Sequence, residues 1–294
     1  MSSIESRMIK KSLKKLVQSS LVPHLDIPKL RFDDFQKPGP STKRYCHSDE
    51  VIIHGVNCHW LTPKKVKSEK IILYFHGGAY VCGPSLLQWR MLAKVAHDSH
   101  CMAIMVNYRI APEYPFPAGM DDMMDVYTDL LSYTETENII FMGDSAGGGL
   151  ALAMAMKLRD SERRLPSKLI LLSPWLDVTM ENPKLPEVEE LDQMLALPGL
   201  IEAGEHYAGD TDRKESYISP LFGNLEGLPP SLLMIGTHDV LLCDCRILKE
   251  KSEETGYDLS YEEWDEMFHV WMLNVPYLRE ARAAVKRITE YINS

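Results

Sequence analysis

Ser145 stands at the centre of Gly143-Asp144-Ser145-Ala146-Gly147, behind the apolar run 138–142 and ahead of a helix-like stretch over 148–159. Strand, sharp turn and helix with a serine at the apex is an arrangement in which flanking glycines let the two elements approach closely and force the hydroxyl outward. The chemistry it suits is attack on a carbonyl carbon. A serine hydroxyl is a weak nucleophile near neutral pH, so it needs a base to take its proton and a third group to orient that base. His269, on the loop between the strand-like 259–264 and the last helix, is the candidate base. Asp239 follows the apolar run 231–235, where a parallel sheet places its working residues, and is the favoured orienting carboxylate; Asp244 and Asp177 compete with it. The oxyanion formed on attack needs amide donors fixed in advance. Gly77 and Gly78, in Phe75-His76-Gly77-Gly78-Ala79-Tyr80, and Ala146, next after the serine, are the candidate donors.

These residues need a scaffold, and the apolar pattern predicts one. Runs at 71–75, 101–107, 139–143, 169–172 and 231–235 recur with helical patterns between them, which implies right-handed crossovers and a mostly parallel sheet. Upstream, 50–56 and 57–61 read as a hairpin forming an antiparallel edge. The stretch after Ser145, with Leu150, Leu152, Met154 and Met156 among alanines, is apolar on every face and predicts a buried central helix. The last helix, begun by Pro276, sets Leu278, Ala281, Val285, Ile288 and Ile292 on one stripe. Between 176 and 219 the strand rhythm stops, apart from a helix-like piece at 200–207. So long an interval is usually functional, and it is read as a lid together with the amino-terminal helix. Cys82, Trp89 and Met91, which follow the glycine loop, are read as helix packing rather than pocket lining.

The 294 residues, 45% hydrophobic and 25% charged, are those of one globular α/β unit with attachments. A net charge of −10 argues against a general affinity for nucleic acid, and no apolar run is long enough for stable membrane insertion. Residues 1–20 carry Arg7, Lys10, Lys11, Lys14 and Lys15 against Glu5, with Ile4, Met8, Leu13, Leu16 and Val17 at helical spacing. No apolar stretch of signal-peptide length follows, so the segment is expected to be an amphipathic helix resting on its own protein, and the chain to be cytoplasmic. The six cysteines show neither disulfide-scaffold density nor zinc spacing, so no metal is expected. Seven acids and no base lie between 253 and 266; a solvated face is the simpler reading, and a negative field at the site mouth the sharper one.

At several separated places the chain resembles the bacterial hormone-sensitive lipase family (family IV) of carboxylesterases. They are His76-Gly77-Gly78, Tyr108 to Glu113 with Phe116-Pro117-Ala118, Gly143 to Gly148, Ser173-Pro174-Trp175, Asp239 and His269. The order serine, acid, histidine is that of the α/β-hydrolases. The resemblance implies an α/β-hydrolase fold with an eight-stranded, mostly parallel sheet and a small helical cap: a cap segment over 1–38 and a catalytic domain over 39–294 with a cap insertion at about 180–216. It implies a cofactor-free serine esterase acting on small, short-chain acyl esters, with Ser145 as nucleophile, His269 as base then acid, and Asp239 as orienting group. Ala79 departs from the family, many of whose members have a third glycine there, and is expected to narrow the alcohol side. A deacetylase or amidase on the same triad, a ligand-binding protein that has kept the fold, and an interfacial lipase are the alternatives; a homodimer stays open.

Overall fold

The computed structural model describes residues 24–31 and 37–294, together with Ser3, Glu5, Ser6, Met8 and Ile9. Most of the predicted amphipathic amino-terminal helix therefore lies outside the described residues. Eight strands form one sheet: β1 (Cys46–Ile53), β2 (Val56–Pro63), β3 (Ile71–Phe75), β4 (Met102–Asn107), β5 (Ile139–Asp144), β6 (Lys168–Leu172), β7 (Ser231–His238) and β8 (Leu259–Phe268). Their spatial order is β1-β2-β4-β3-β5-β6-β7-β8. β2 runs antiparallel to β1 and β4, and every other neighbouring pair is parallel. The central strands β3 and β5 are buried at every position, which is why they read as continuous apolar runs: both faces are covered.

The hairpin is present, but its reversal falls at His54-Gly55 rather than between Val56 and Asn57. Both turn residues have positive φ, 49° and 87°, as a two-residue primed turn demands, and glycine supplies the second at no steric cost.

Helices cover the two faces. α1 is one turn (Ile27–Leu30), followed by α2 (Leu86–Ser99), α3 (Ala118–Leu130), α4 (Ala146–Asp160), α5 (Leu185–Glu189), α6 (Leu197–Ala208), α7 (Leu242–Thr255) and α8 (Arg279–Asn293). α2 and α8 pack with Ile72 and Tyr74 of β3 on one side; α3, α4 and α7 pack with Leu73 and Phe75 on the other. α4 is buried on all sides, as its sequence requires. α8 buries Ala281, Val285, Ile288 and Ile292 of the expected stripe, but begins at Arg279, three residues after Pro276. Trp89 and Met91 are fully buried in α2. The interval 176–219 carries α5 and α6 and no strand. No helix among the described residues is long and apolar enough to cross a membrane.

Candidate active site

β5 ends at Asp144 and α4 begins at Ala146, so Ser145 alone makes the turn, with φ 54° and ψ −124°. That is a strained conformation for a residue with a side chain. It persists because the surroundings leave the backbone no alternative. A Cβ on Gly143 would lie 2.3 Å from the Gly147 carbonyl oxygen, and one on Gly147 would lie 2.0 Å from that of Phe75. The Ser145 amide is also held by the Leu172 carbonyl at 2.9 Å, and its own carbonyl accepts from Trp175 at 2.9 Å.

β8 delivers His269 one residue past its end. Val270, a β-branched residue at φ 46°, turns the chain there and donates its amide to the Ser173 hydroxyl. His269 Nε2 lies 2.9 Å from Ser145 Oγ, and its Nδ1 lies 2.9 Å from Asp239 Oδ2. Asp239 follows β7 and is fully buried; its Oδ1 accepts from the Leu241 amide at 3.1 Å. The two competing carboxylates are engaged elsewhere. Asp244, in the first turn of α7, accepts from Asn182 Nδ2 at 2.7 Å, and Asp177 accepts from the Thr179 amide at 2.8 Å.

Burial alone would lower the His269 pKa, but the charge and hydrogen bond of Asp239, with smaller contributions from Asp192 and Asp144, outweigh it and leave the imidazole above its usual value. A base that must be neutral to accept a proton then works only above that raised pKa. The acid limb of a kcat/KM profile, which reports the free enzyme, is therefore expected to have its midpoint above the ordinary histidine value of about 6.5. A midpoint below that value in initial-rate measurements would contradict the assignment.

The glycine loop departs from the sequence expectation at one residue. Gly77 does not offer its amide to the site, because that N–H donates to Asp144 Oδ1 at 2.9 Å. Asp144 also accepts from the Tyr74 hydroxyl at 2.5 Å and from Gln88 Nε2 at 2.9 Å. Burial pushes its pKa up while these three donors oppose the rise. Among the described residues no hydrogen bond takes up the amides of Gly78, Ala79 or Ala146. The amides of Gly78, Ala79 and Ala146 are thus uncommitted among the described residues, whereas that of Gly77 is not. Ala79 adopts φ 53°, a left-handed conformation costing about 1–2 kcal/mol for a residue with a Cβ. Beneath the loop, His76 stacks on Tyr108 with ring centroids 4.1 Å apart, and the Tyr108 hydroxyl donates to the His76 carbonyl at 2.5 Å. Burial draws the His76 pKa down to about 4, so it is neutral.

A cavity of about 190 Å³ opens beside Ser145 and His269. Its apolar wall is Leu30, Met194, Leu195, Leu200, Val270 and Leu273, with Gly78 and Ala79 at its edge. Cys82 also lines it, against the expectation that it would pack with α2. None of the seven acids between 253 and 266 lines it. Glu262 and Glu263 instead pair with Arg287 and Arg246, which makes β8 a charged sheet edge rather than a charged mouth. A larger hollow of about 1160 Å³, between the β1–β2 edge and 129–138, contains none of the residues discussed above as chemical candidates.

Residues 72–273, more than half of the chain, match the family model described as alpha/beta hydrolase fold. An acetyl-hydrolase of Streptomyces hygroscopicus is 35% identical over 240 residues, covering 81% of this chain and 80% of that protein. An esterase of Acinetobacter venetianus is 32% identical over 232 residues, covering 78% and 77%. The solved structure of EstE5 superposes with a TM-score of 0.90 at 33% identity, over 99% of this chain and 98% of that one. An esterase of the bacterial hormone-sensitive lipase family superposes with a TM-score of 0.89 at 28% identity, over 100% and 98%. With its sheet order, its serine turn and these relatives together, the chain belongs to the bacterial hormone-sensitive lipase family of the α/β-hydrolase fold and is a carboxylic ester hydrolase.

Proposed function

We propose that the protein hydrolyses small, neutral, short-chain acyl esters through an acyl-enzyme on Ser145. The observation that carries this reading is the unbroken hydrogen-bonded line from Asp239 through His269 to Ser145, with 2.9 Å at each link. Ser145 Oγ attacks the ester carbonyl carbon as His269 Nε2 takes its proton, and Asp239 holds Nδ1–H and stabilises the imidazolium. The carbonyl oxygen becomes an oxyanion facing the amides of Gly78, Ala79 and Ala146, the last at the positive amino end of α4. Collapse breaks the bond to the alkoxy oxygen, which leaves as the alcohol with the proton from His269. Water then attacks the acyl-enzyme, giving its proton to His269; collapse returns the proton to Ser145 and releases the acid.

A cavity of about 190 Å³ lies below the ~300–1,000 Å³ usual for ligand pockets, and its wall is apolar. Both features favour a short, uncharged acyl group. Leu30 and Leu200 reach the cavity from the two expected cap segments, 1–38 and about 180–216, the first of which is described only in part. The partner is a small-molecule ester, not nucleic acid or membrane, in a cytoplasmic protein that needs no cofactor. Initial rates on p-nitrophenyl esters of two to twelve acyl carbons test the reading. kcat/KM is expected to peak at two to four carbons and to fall at least tenfold by twelve, since each ~1.4 kcal/mol of lost transition-state binding is tenfold. A maximum at long chains with a jump at the solubility limit would point to an interfacial lipase instead. The acetyl-hydrolase relative favours acetyl esters within the short range, and acetylated sugars belong in the same panel.

A further inference from the structure

A second carboxylate lies behind the reacting line. Asp192, between α5 and α6, is 1% exposed. Its Oδ1 accepts the amides of Met194 at 2.7 Å and Leu195 at 2.9 Å, and both residues line the cavity. Its Oδ2 accepts the amide of Val240 at 2.8 Å, the residue directly after Asp239. One carboxylate thus clips the cavity wall to the loop that carries the triad acid.

Burying a carboxylate near a second one is costly, because it is not fully hydrated and the neighbouring charge opposes its ionisation. Burial and the Asp239 charge push Asp192 up to about 6, while the amides of Leu195 and Val240 and the charge of His269 oppose the rise. The groups acting on His269 are Asp239, Asp192 and Asp144. Cys245 also feels the Asp239 charge, and burial pushes its thiol pKa well up. The three amides already occupy both carboxylate oxygens, and the same charge also favours the His269 imidazolium.

We propose that Asp192 is a positioning residue for ester hydrolysis: it couples the cavity wall at Met194 and Leu195 to the Asp239 loop and adds a second negative charge behind His269. The proposal rests on Ser145, His269 and Asp239 being the reacting unit. It predicts that substrate fit and the proton affinity of His269 change together when Asp192 changes.

The test compares the parent with Asp192→Asn, Asp192→Ala and Ser145→Ala, using p-nitrophenyl acetate and butyrate across pH, with melting temperatures alongside. Asp192→Asn keeps the side-chain volume but removes the charge and replaces one accepting oxygen by an N–H donor. Its acid limb should move to lower pH, because His269 loses a stabilising neighbour, and its KM should rise, more for butyrate than for acetate. Asp192→Ala also leaves the amides of Met194, Leu195 and Val240 without this acceptor and should lower kcat/KM by about 10²-fold, the order expected from ångström-scale misplacement. An acid limb at the parent's pH in Asp192→Asn, with KM unchanged for both esters, overturns the proposal even if melting falls, since that leaves a purely structural link. Full activity in Ser145→Ala overturns the proposal together with the reading it rests on; an inactive Ser145→Ala beside an unshifted Asp192→Asn overturns the proposal alone.

Discussion

Replacing Ser145 by alanine is expected to lower kcat by about 10⁴- to 10⁶-fold, the range in which loss of a triad nucleophile falls. The residue is 8% exposed and, among the described residues, its hydroxyl bonds only His269 Nε2, so alanine removes the attacking atom without opening a core. The turn itself is set by Gly143 and Gly147 and by backbone bonds to Leu172 and Trp175, none of which needs the hydroxyl. The melting temperature should therefore stay close to the parent's while turnover is lost. Stopped or initial-rate assays beside circular dichroism melts check both halves. A variant that keeps the parent's turnover would mean that the nucleophile is another residue.

Asp239→Asn is expected to cost about 10⁴-fold in kcat, with little change in KM. Its Oδ2 faces His269 Nδ1 at 2.9 Å, and an amide there either presents N–H against N–H or selects the wrong imidazole tautomer. It also removes the largest favourable charge acting on a buried imidazolium. The loss should be greatest at neutral pH and partly recovered in alkali, where hydroxide can replace the missing base function. Asp244→Asn is the informative control, because sequence order alone leaves Asp244 competing for the same role. Its carboxylate bonds Asn182 instead, so its kcat should match the parent's. Equal losses in the two variants would refute the assignment of the acid.

The parallel strands were legible because each is covered on both faces and so carries an unbroken apolar run, as at 71–75 and 139–144. The serine turn was legible for a related reason: its glycines face carbonyl oxygens at distances no Cβ tolerates. The oxyanion donors were less so. Which glycine amide is free depends on where the Asp144 side chain turns, and it turns toward Gly77, a tertiary fact with no local signature. Gln88, which holds Asp144, had one signal: with Ser85 it forms the capping box that starts α2. Asp192 had none, since Leu191-Asp192-Gln193 reads as an ordinary polar loop. The acidic run 253–266 was misleading as a pointer to the mouth, because charge density along a chain does not say that its Arg partners come from α7 and α8.

Every step of the proposed reaction requires Ser145 to become the acylated residue. Mass spectrometry of peptides after treatment with an organophosphate or a slowly deacylating ester tests it directly. A single stoichiometric adduct is expected on the peptide containing Ser145, formed in parallel with loss of esterase activity and absent in Ser145→Ala. An adduct on a different residue that tracks inactivation, or full inactivation with Ser145 unmodified, would contradict it.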